Sequence, residues 1–292
     1  MSWTYWIVGP GRMGLSLGSV LATSGYTREL LFVGRRERPP VHPVLGQPLA
    51  RYSRGFPGAP LEGTRVLLAV PDSTIAGIAG GLARLGAPGD GCVALHFSGL
   101  QPASVLAPLG EHGYAVGSLH PLQTVADPRS GRERLRGAFF TFEGDARARG
   151  AALEIVQAAE GHLLQVRAAD KARYHAACVF ASNYVVACAA VATRLLAGAV
   201  NIGQEEAAQA LQPLWRGALD NLDQLGIPRA LTGPVARGDL ETVRGHLAAL
   251  DADTRELYRQ LALQVLDLSR KLGLDAAVGN AIEAEIRGLK GE

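Results

Sequence analysis

Three glycines near the amino terminus carry the clearest chemical signal in the chain. They lie in the run Gly9-Pro10-Gly11-Arg12-Met13-Gly14, a G-x-G-x-x-G spacing that follows an apolar stretch, Tyr5 to Val8, and opens a helix-like segment, Met13 to Leu21. In that setting each glycine has a physical job. The first permits a tight strand-to-helix turn, the second lets a pyrophosphate approach the backbone, and the third lets helix and strand pack closely. The helix N-terminus then offers free N–H groups and a partial positive charge to phosphates. The pattern predicts a bound dinucleotide. A second strand is expected about 20 residues on, and Leu30 to Val33 fits, followed by Gly34-Arg35-Arg36 with no acid at its end. A carboxylate there would hydrogen-bond a ribose 2′-hydroxyl, whereas two guanidinium groups can grip a 2′-phosphate. The expected coenzyme is therefore NADP(H).

Ligands in an open α/β sheet lie beyond the carboxyl ends of the strands. The polar residues at those ends are the next candidates. Val70-Pro71-Asp72 closes one apolar run and, with the glycine turn, is expected to touch the coenzyme, although Asp72 also reads as a helix cap. Ser98 is a candidate for binding substrate or the nicotinamide carboxamide. The plainer alternative is a turn serine before Gly99. His120, fixed by Pro121 and close to Gln123 and Thr124, can serve as general acid or base for a carbonyl/hydroxyl pair. The alternative is a histidine that shapes its loop. His96 reads as packed in the sheet.

Further on, Lys171, His175, Cys178 and Ser182 step by four, three and four, so they share one helix face, with Asn183 beside them. A polar stripe on an apolar helix needs partners. His175 and Asn183 are candidates for orienting a substrate. The alternative leaves Lys171 and His175 in exposed first turns and gives Asn183 a core hydrogen bond. Leu231 to Asp239 reads as a loop between helices, in which Arg237 can grip a substrate carboxylate and Asp239 can cap the next helix. No zinc-type Cys/His spacing, G-x-S-x-G or Walker A sequence is present, and no metal is expected.

The elements that must position these residues follow from the alternation of apolar runs and helical spacings. Strands are expected at Arg65–Val70, Gly91–Phe97, Tyr114–Leu119, Phe139–Phe142 and Leu163–Val166, with helices at Ser73–Leu85, Val105–Leu109 and Arg147–Glu160. Continuous apolar strands alternating with helices indicate a doubly wound, mainly parallel sheet. After Arg167 the pattern is helical throughout: Asp170–Ala199, Gln204–Leu225, Asp239–Leu250, Asp253–Leu272 and Asp275–Leu289. The fold class is α/β, with an expected Rossmann domain over 1–167 and an all-helical substrate or dimerisation domain over 168–292. The uncharged run Ala176–Thr193 is long enough to be weighed as a membrane span. It is read instead as the buried central helix of the helical domain, or as a subunit interface.

Composition bounds the function. The 292 residues suffice for two full cores, and a net charge of +2 does not point to nucleic acid or a membrane surface. Three cysteines without a C-x-x-C pair fit a reduced, cytoplasmic setting, and no signal peptide is evident at the start.

The chain resembles, over nearly its full length, the Rossmann-like proteins whose C-terminal half is called domain of unknown function 2520. Three stretches carry the match: Gly-Ser-Leu-His-Pro-Leu-Gln (117–123), Tyr-His-Ala-Ala with Ala-Ser-Asn-Tyr (174–177, 181–184), and Leu-Thr-Gly-Pro-Val-Ala-Arg-Gly-Asp (231–239). More widely it is similar to the superfamily of pyrroline-5-carboxylate reductase, ketopantoate reductase and prephenate dehydrogenase. The resemblance implies an N-terminal NADP(H) domain, a helical second domain like that of 6-phosphogluconate dehydrogenase, and a homodimer formed through the helices. Prephenate dehydrogenases place a serine after one strand and His-Pro after the next, as Ser98 and His120-Pro121 do here. Leu122-Gln123-Thr124 departs from the turn that usually follows in them. Hydroxyacid dehydrogenases of the group use a lysine and an asparagine four apart. Lys171 and His175 hold that spacing, and Asn183 lies further on. The expected function is an NADP(H)-dependent oxidoreductase moving hydride to or from a small carboxylate-bearing substrate, with His120 moving the proton. The alternatives are a non-catalytic NADP-binding sensor or scaffold, and an oxidative decarboxylase of the prephenate type.

Overall fold

The computed structural model describes residues 2–289. Two units divide the chain, Met1–Asn183 and Tyr184–Glu292. The expected domain boundary at 167 marks where strands give way to helices. The division by packing comes one helix later.

The first unit runs β1 (Trp3–Val8), α1 (Arg12–Leu21), β2 (Thr27–Gly34), β3 (Ala50–Arg54), β4 (Arg65–Leu68), α2 (Asp72–Ala83), β5 (Val93–His96), α3 (Ala107–Gly110), β6 (Ala115–Pro121), α4 (Gly131–Leu135), β7 (Phe139–Gly144), α5 (Ala146–Ala158), β8 (His162–Gln165) and α6 (Lys171–Ala181). The eight strands form one sheet in the order β3-β2-β1-β4-β5-β6-β7-β8. Every neighbouring pair is parallel except β6 with β7. Both faces are covered. Tyr5 and Ile7 pack on the side of Leu15 and Leu17 of α1, while Trp6 and Val8 pack on the side of Ile75 and Ala79 of α2. Burial on two faces is why these strands read as continuous apolar runs rather than alternations. The edge strand β3, Ala-Arg-Tyr-Ser-Arg, is half exposed and polar, so no apolar pattern announces it.

The order reverses between β1 and β4, the point at which such sheets open a crevice beyond their carboxyl ends. There α1 is braced from outside. Pro128–Ser130 and α4 lie against it, so close that a Cβ on Gly131 would fall on the Ser16 hydroxyl. The same segment is tied to the loop after β2, where the His42 Nε2 lies 3.2 Å from the Pro128 carbonyl oxygen.

The second unit consists of α7 (Asn183–Val200), α8 (Gln204–Leu225), α9 (Pro234–Arg237), α10 (Leu240–Ala249), α11 (Ala252–Lys271) and α12 (Ala276–Arg287). The sequence predicted one helix over 170–199. It is interrupted at Ser182, whose hydroxyl donates back to the Cys178 carbonyl at 2.7 Å. The predicted loop 231–239 contains the single turn α9. Asp239, Asp251 and Asp275 cap α10, α11 and α12, each accepting a backbone N–H three residues on.

The core of this unit corrects the reading of the apolar helix. Val235, Val243, Leu247, Ala262, Leu266, Ile282 and Ile286, all from α9 to α12, make up that core. Helix α7 buries only Thr193, and α8 only Ala207. The run 176–193 is therefore not a buried central helix of the monomer, because α9 to α12 already cover one another. Val186 and Leu214 remain 70% and 68% exposed. By length and composition alone, Ala168–Val200 is apolar enough to cross a membrane.

Candidate functional site

The glycine turn connects β1 to α1. Gly9 has φ +92°, and a Cβ there would stand 2.5 Å from the Ala69 carbonyl oxygen of the neighbouring chain segment. Gly14 packs onto the turn itself, where a Cβ would collide with the Gly9 carbonyl oxygen. Gly11 differs from both. A Cβ there would meet nothing within 4 Å, so the space above its backbone is open. Gly11 also N-caps α1, leaving the first-turn N–H groups of Arg12 and Met13 without acceptors in the helix. An open, N–H-rich cradle at a helix start fits a pyrophosphate.

At the end of β2, Gly34 admits the Tyr52 phenol of β3, which would lie 2.5 Å from any Cβ at that position and donates to the Arg36 carbonyl at 2.7 Å. The side chains of Arg35 and Arg36 are exposed, and Glu37 is bound by Arg54 at 3.1 Å. The chain thus turns two guanidinium groups outward beyond the end of β2.

Beyond β4 and β5 the candidate residues Ser98 and Asp72 belong to one polar network. The Ser98 hydroxyl donates to Asp72 Oδ2 at 2.6 Å and accepts the N–H groups of Leu100 and Gln101 at 3.1 and 2.9 Å. Ser98 is buried, and its hydroxyl is bonded to Asp72 and to its own loop. Asp72 is the first residue of α2 and serves Ser98 rather than capping the helix. Val70 and Pro71 lead from β4 into α2 beside the glycine turn, where Val70 touches the Gly9 position. His96 lies fully inside the sheet and accepts the Ser98 N–H at Nδ1. Desolvation, helped by the Lys171 charge, lowers its pKa to about 4.

Lys171 overturns the expectation of an exposed first turn. It is 1% exposed, and its ammonium donates to the Ser98 carbonyl at 3.2 Å and to the Ser118 hydroxyl at 2.6 Å. Burial pulls its pKa down, against the pull of the Glu143 and Asp72 carboxylates. It ties the first turn of α6 to the ends of β5 and β6.

Those ends frame a cavity of about 670 Å³, lined from one side by His120 to Thr124 and from the other by Tyr174, His175, Cys178, Ser182 and Asn183 of α6 and its end. The His120 Nδ1 and the Tyr174 hydroxyl are 2.6 Å apart. His175 stands edge-on to His120, with ring centroids 6.0 Å apart. Gly99 packs against both rings. A Cβ there would lie 2.5 Å from His175 Cδ2 and 3.1 Å from His120 Nε2. Burial, with His175 and Lys171 adding to it, lowers the His120 pKa to about 4, well below the range assumed from sequence. Asn183 is exposed at the cavity rim, its side-chain amide 2.9 Å from the Ser182 hydroxyl, rather than bonded in a core. Among the described residues no Arg or Lys lines the cavity. Arg237 is exposed at the end of α9, in the second unit. Tyr174 and Gly99 were not singled out by the sequence. Tyr174 preceded the candidate His175, and Gly99 followed the candidate Ser98.

Residues 59–121 match the model of a Rossmann-like domain, and residues 138–265 match that of a domain of unknown function (DUF2520). No curated protein matches the chain. Among solved structures, the chain is similar to a protein of Thermotoga maritima (22% identity, covering 92% of this chain and 98% of that one, TM-score 0.70). It is also similar to a Bacteroides fragilis protein described as a candidate NADP oxidoreductase (19%, 90% and 98%, 0.68). A third is the Plasmodium falciparum pyrroline carboxylate reductase with NADP bound (11%, 98% and 98%, 0.53). At these identities the likeness concerns the fold alone. The glycine turn, the eight-stranded sheet and the helical second part thus belong to one pattern, and the chain is a Rossmann-like protein carrying a DUF2520 domain.

Proposed function

We propose that the protein is an NADP(H)-dependent oxidoreductase acting on a small carboxylate-bearing substrate with a carbonyl, imine or alcohol carbon. The observation that carries this reading is the open space above Gly11 beside two glycine positions closed by the protein itself. Gly9 to Gly14 would hold the pyrophosphate, Gly34 to Arg36 the 2′-phosphate, and Val70 to Asp72 the adjoining edge of the coenzyme. When bound, the coenzyme supplies or takes up hydride. The remaining work falls to the cavity: His120 handles the proton, His175 and Asn183 orient the substrate, and a carboxylate would meet neutral donors in Gln123, Thr124 and Asn183. Titration of the protein with NADPH and NADH tests the reading. Arg35→Glu is expected to weaken NADPH about 10-fold or more and NADH far less, since one charge-assisted phosphate contact is at stake. Equal losses would remove the 2′-phosphate assignment.

A homodimer joined through α7 and α8 accompanies this reading. Val185, Val186, Leu214, Leu219 and Leu222 leave these two helices with apolar surface that their own unit does not cover. A bilayer is the poorer occupant, because Arg194 lies within the segment and its guanidinium donates to Thr254 of α11. Light scattering should give a mass of two chains, and Val186→Glu should shift it to one. A wild-type mass of one chain would refute the dimer.

A further inference from the structure

We propose that Tyr174 and His120 act as one proton-donating pair, in which the phenol holds the imidazole proton on Nε2 and replaces it as it leaves. This rests on the oxidoreductase reading and adds to it the route of the proton.

The geometry is specific. The separation of 2.6 Å between the Tyr174 hydroxyl and the His120 Nδ1 is short for a hydrogen bond of this kind. The two rings meet edge to face at 83°, and both line the same cavity. Among the described residues no carboxylate lines that cavity. Where a carboxylate faces Nδ1 it takes the Nδ1–H and leaves Nε2 free to act as a base. A phenol in that place works in the opposite sense. Its O–H donates to Nδ1, so the ring proton lies on Nε2, the nitrogen nearer the Gly99 position. Burial keeps both partners uncharged. It raises the Tyr174 pKa well above the ordinary phenol value, with the Thr141 hydroxyl pulling the other way and Cys178 adding to the rise. It holds the imidazole neutral at pH 7, with His175, Lys171, Asp72 and His96 as the charged and titratable groups around it.

The step balances in the reducing direction. The coenzyme, when bound, would supply hydride to the substrate carbon, and the electron pair of the C=O or C=N bond would pass to the heteroatom. That atom takes the proton from Nε2. The N–H pair returns to the ring, and Nδ1 takes the phenolic proton. Water then reprotonates the phenolate. The reverse direction would run the same path with the phenolate as base, so the pair defines the route of the proton in either direction. Tyr174 acts through His120 as a positioning residue.

The test uses the whole protein and Tyr174→Phe, which keeps the ring and removes the hydroxyl. Nitrogen-15 NMR of the histidine side chains at neutral pH should show His120 as the Nε2–H tautomer in the wild type and a gain of Nδ1–H in the variant. Pyruvate, 2-oxoglutarate and 1-pyrroline serve as probes with NADPH. For whichever is reduced, kcat should fall about 100-fold in the variant, with KM and NADPH affinity unchanged. A wild-type Nδ1–H tautomer, or an imidazolium, would overturn the pair, as would an unaltered kcat. Absence of NADPH binding to the wild type would instead overturn the oxidoreductase reading, and the redox role of the pair with it. The tautomer would still report the hydrogen bond independently.

Discussion

Gly14→Ala should cost the protein about 2–3 kcal/mol of stability, the usual range for forcing atoms into a packed site. Gly11→Ala should cost no more than about 1 kcal/mol, the scale of an altered helix cap, and yet lose coenzyme affinity. The added methyl at position 14 runs into the Gly9 carbonyl oxygen, a backbone atom in a fixed turn, with Ile7 Cγ2 3.1 Å away on the other side. Neither can yield without parting α1 from β1. At position 11 the methyl meets no protein atom within 4 Å, and the backbone φ of −93° suits any residue. It occupies only the space a pyrophosphate would need. Thermal unfolding should therefore separate the two variants, while NADPH titration should find both impaired. A Gly11→Ala protein that binds NADPH as the wild type does would show that the cradle is not a phosphate site.

Gly99→Ala is the second large effect. The position is buried, and its φ lies outside the left-handed region, so the backbone tolerates a side chain. The obstacle is lateral. The methyl would stand 2.5 Å from the His175 ring and 3.1 Å from the His120 ring. Both imidazoles border the cavity and can swing into it, so the fold should survive while the two rings lose their placement. Displacements on the order of 1 Å cost about 100-fold in rate. The expected outcome is a turnover lower by that factor, with NADPH affinity intact and the circular dichroism spectrum unchanged. Undiminished turnover would mean that neither ring needs its present position.

The two-part architecture was legible because its signals are local. Continuous apolar runs such as Arg65 to Val70 can hardly be anything other than strands covered on both faces, and the glycine turn shows itself by spacing. The residues missed depend on partners distant in sequence. Lys171 follows Asp170 and precedes Arg173, so it reads as part of a solvated turn. Only the approach of the Ser98 carbonyl and the Ser118 hydroxyl reveals a buried ammonium. Tyr174 becomes meaningful once β6 delivers His120 to it. The strand β3 is polar because it lies at the sheet edge, and half-exposed edges leave no hydrophobic run to read. Helix α7 misled in the other direction. Apolar composition tells that a surface must be covered, but not whether the cover comes from the same chain. Ser98 shows the same limit on a smaller scale: its bonds to Asp72 and to two backbone N–H groups could not be read from a serine at a strand end.

The segment that leans on α1 has a consequence for how the coenzyme would be taken up. Because Gly131 is pressed onto Ser16 and the Pro128 carbonyl is held against His42, the turn that ends in Gly14 is fixed from two sides by the rest of the first unit. Its ordering entropy is then lost during folding, not at the encounter with the dinucleotide. Association should resemble a key entering a finished lock: amide exchange in α1 should already be slow in the free protein and gain little further protection when the ligand arrives.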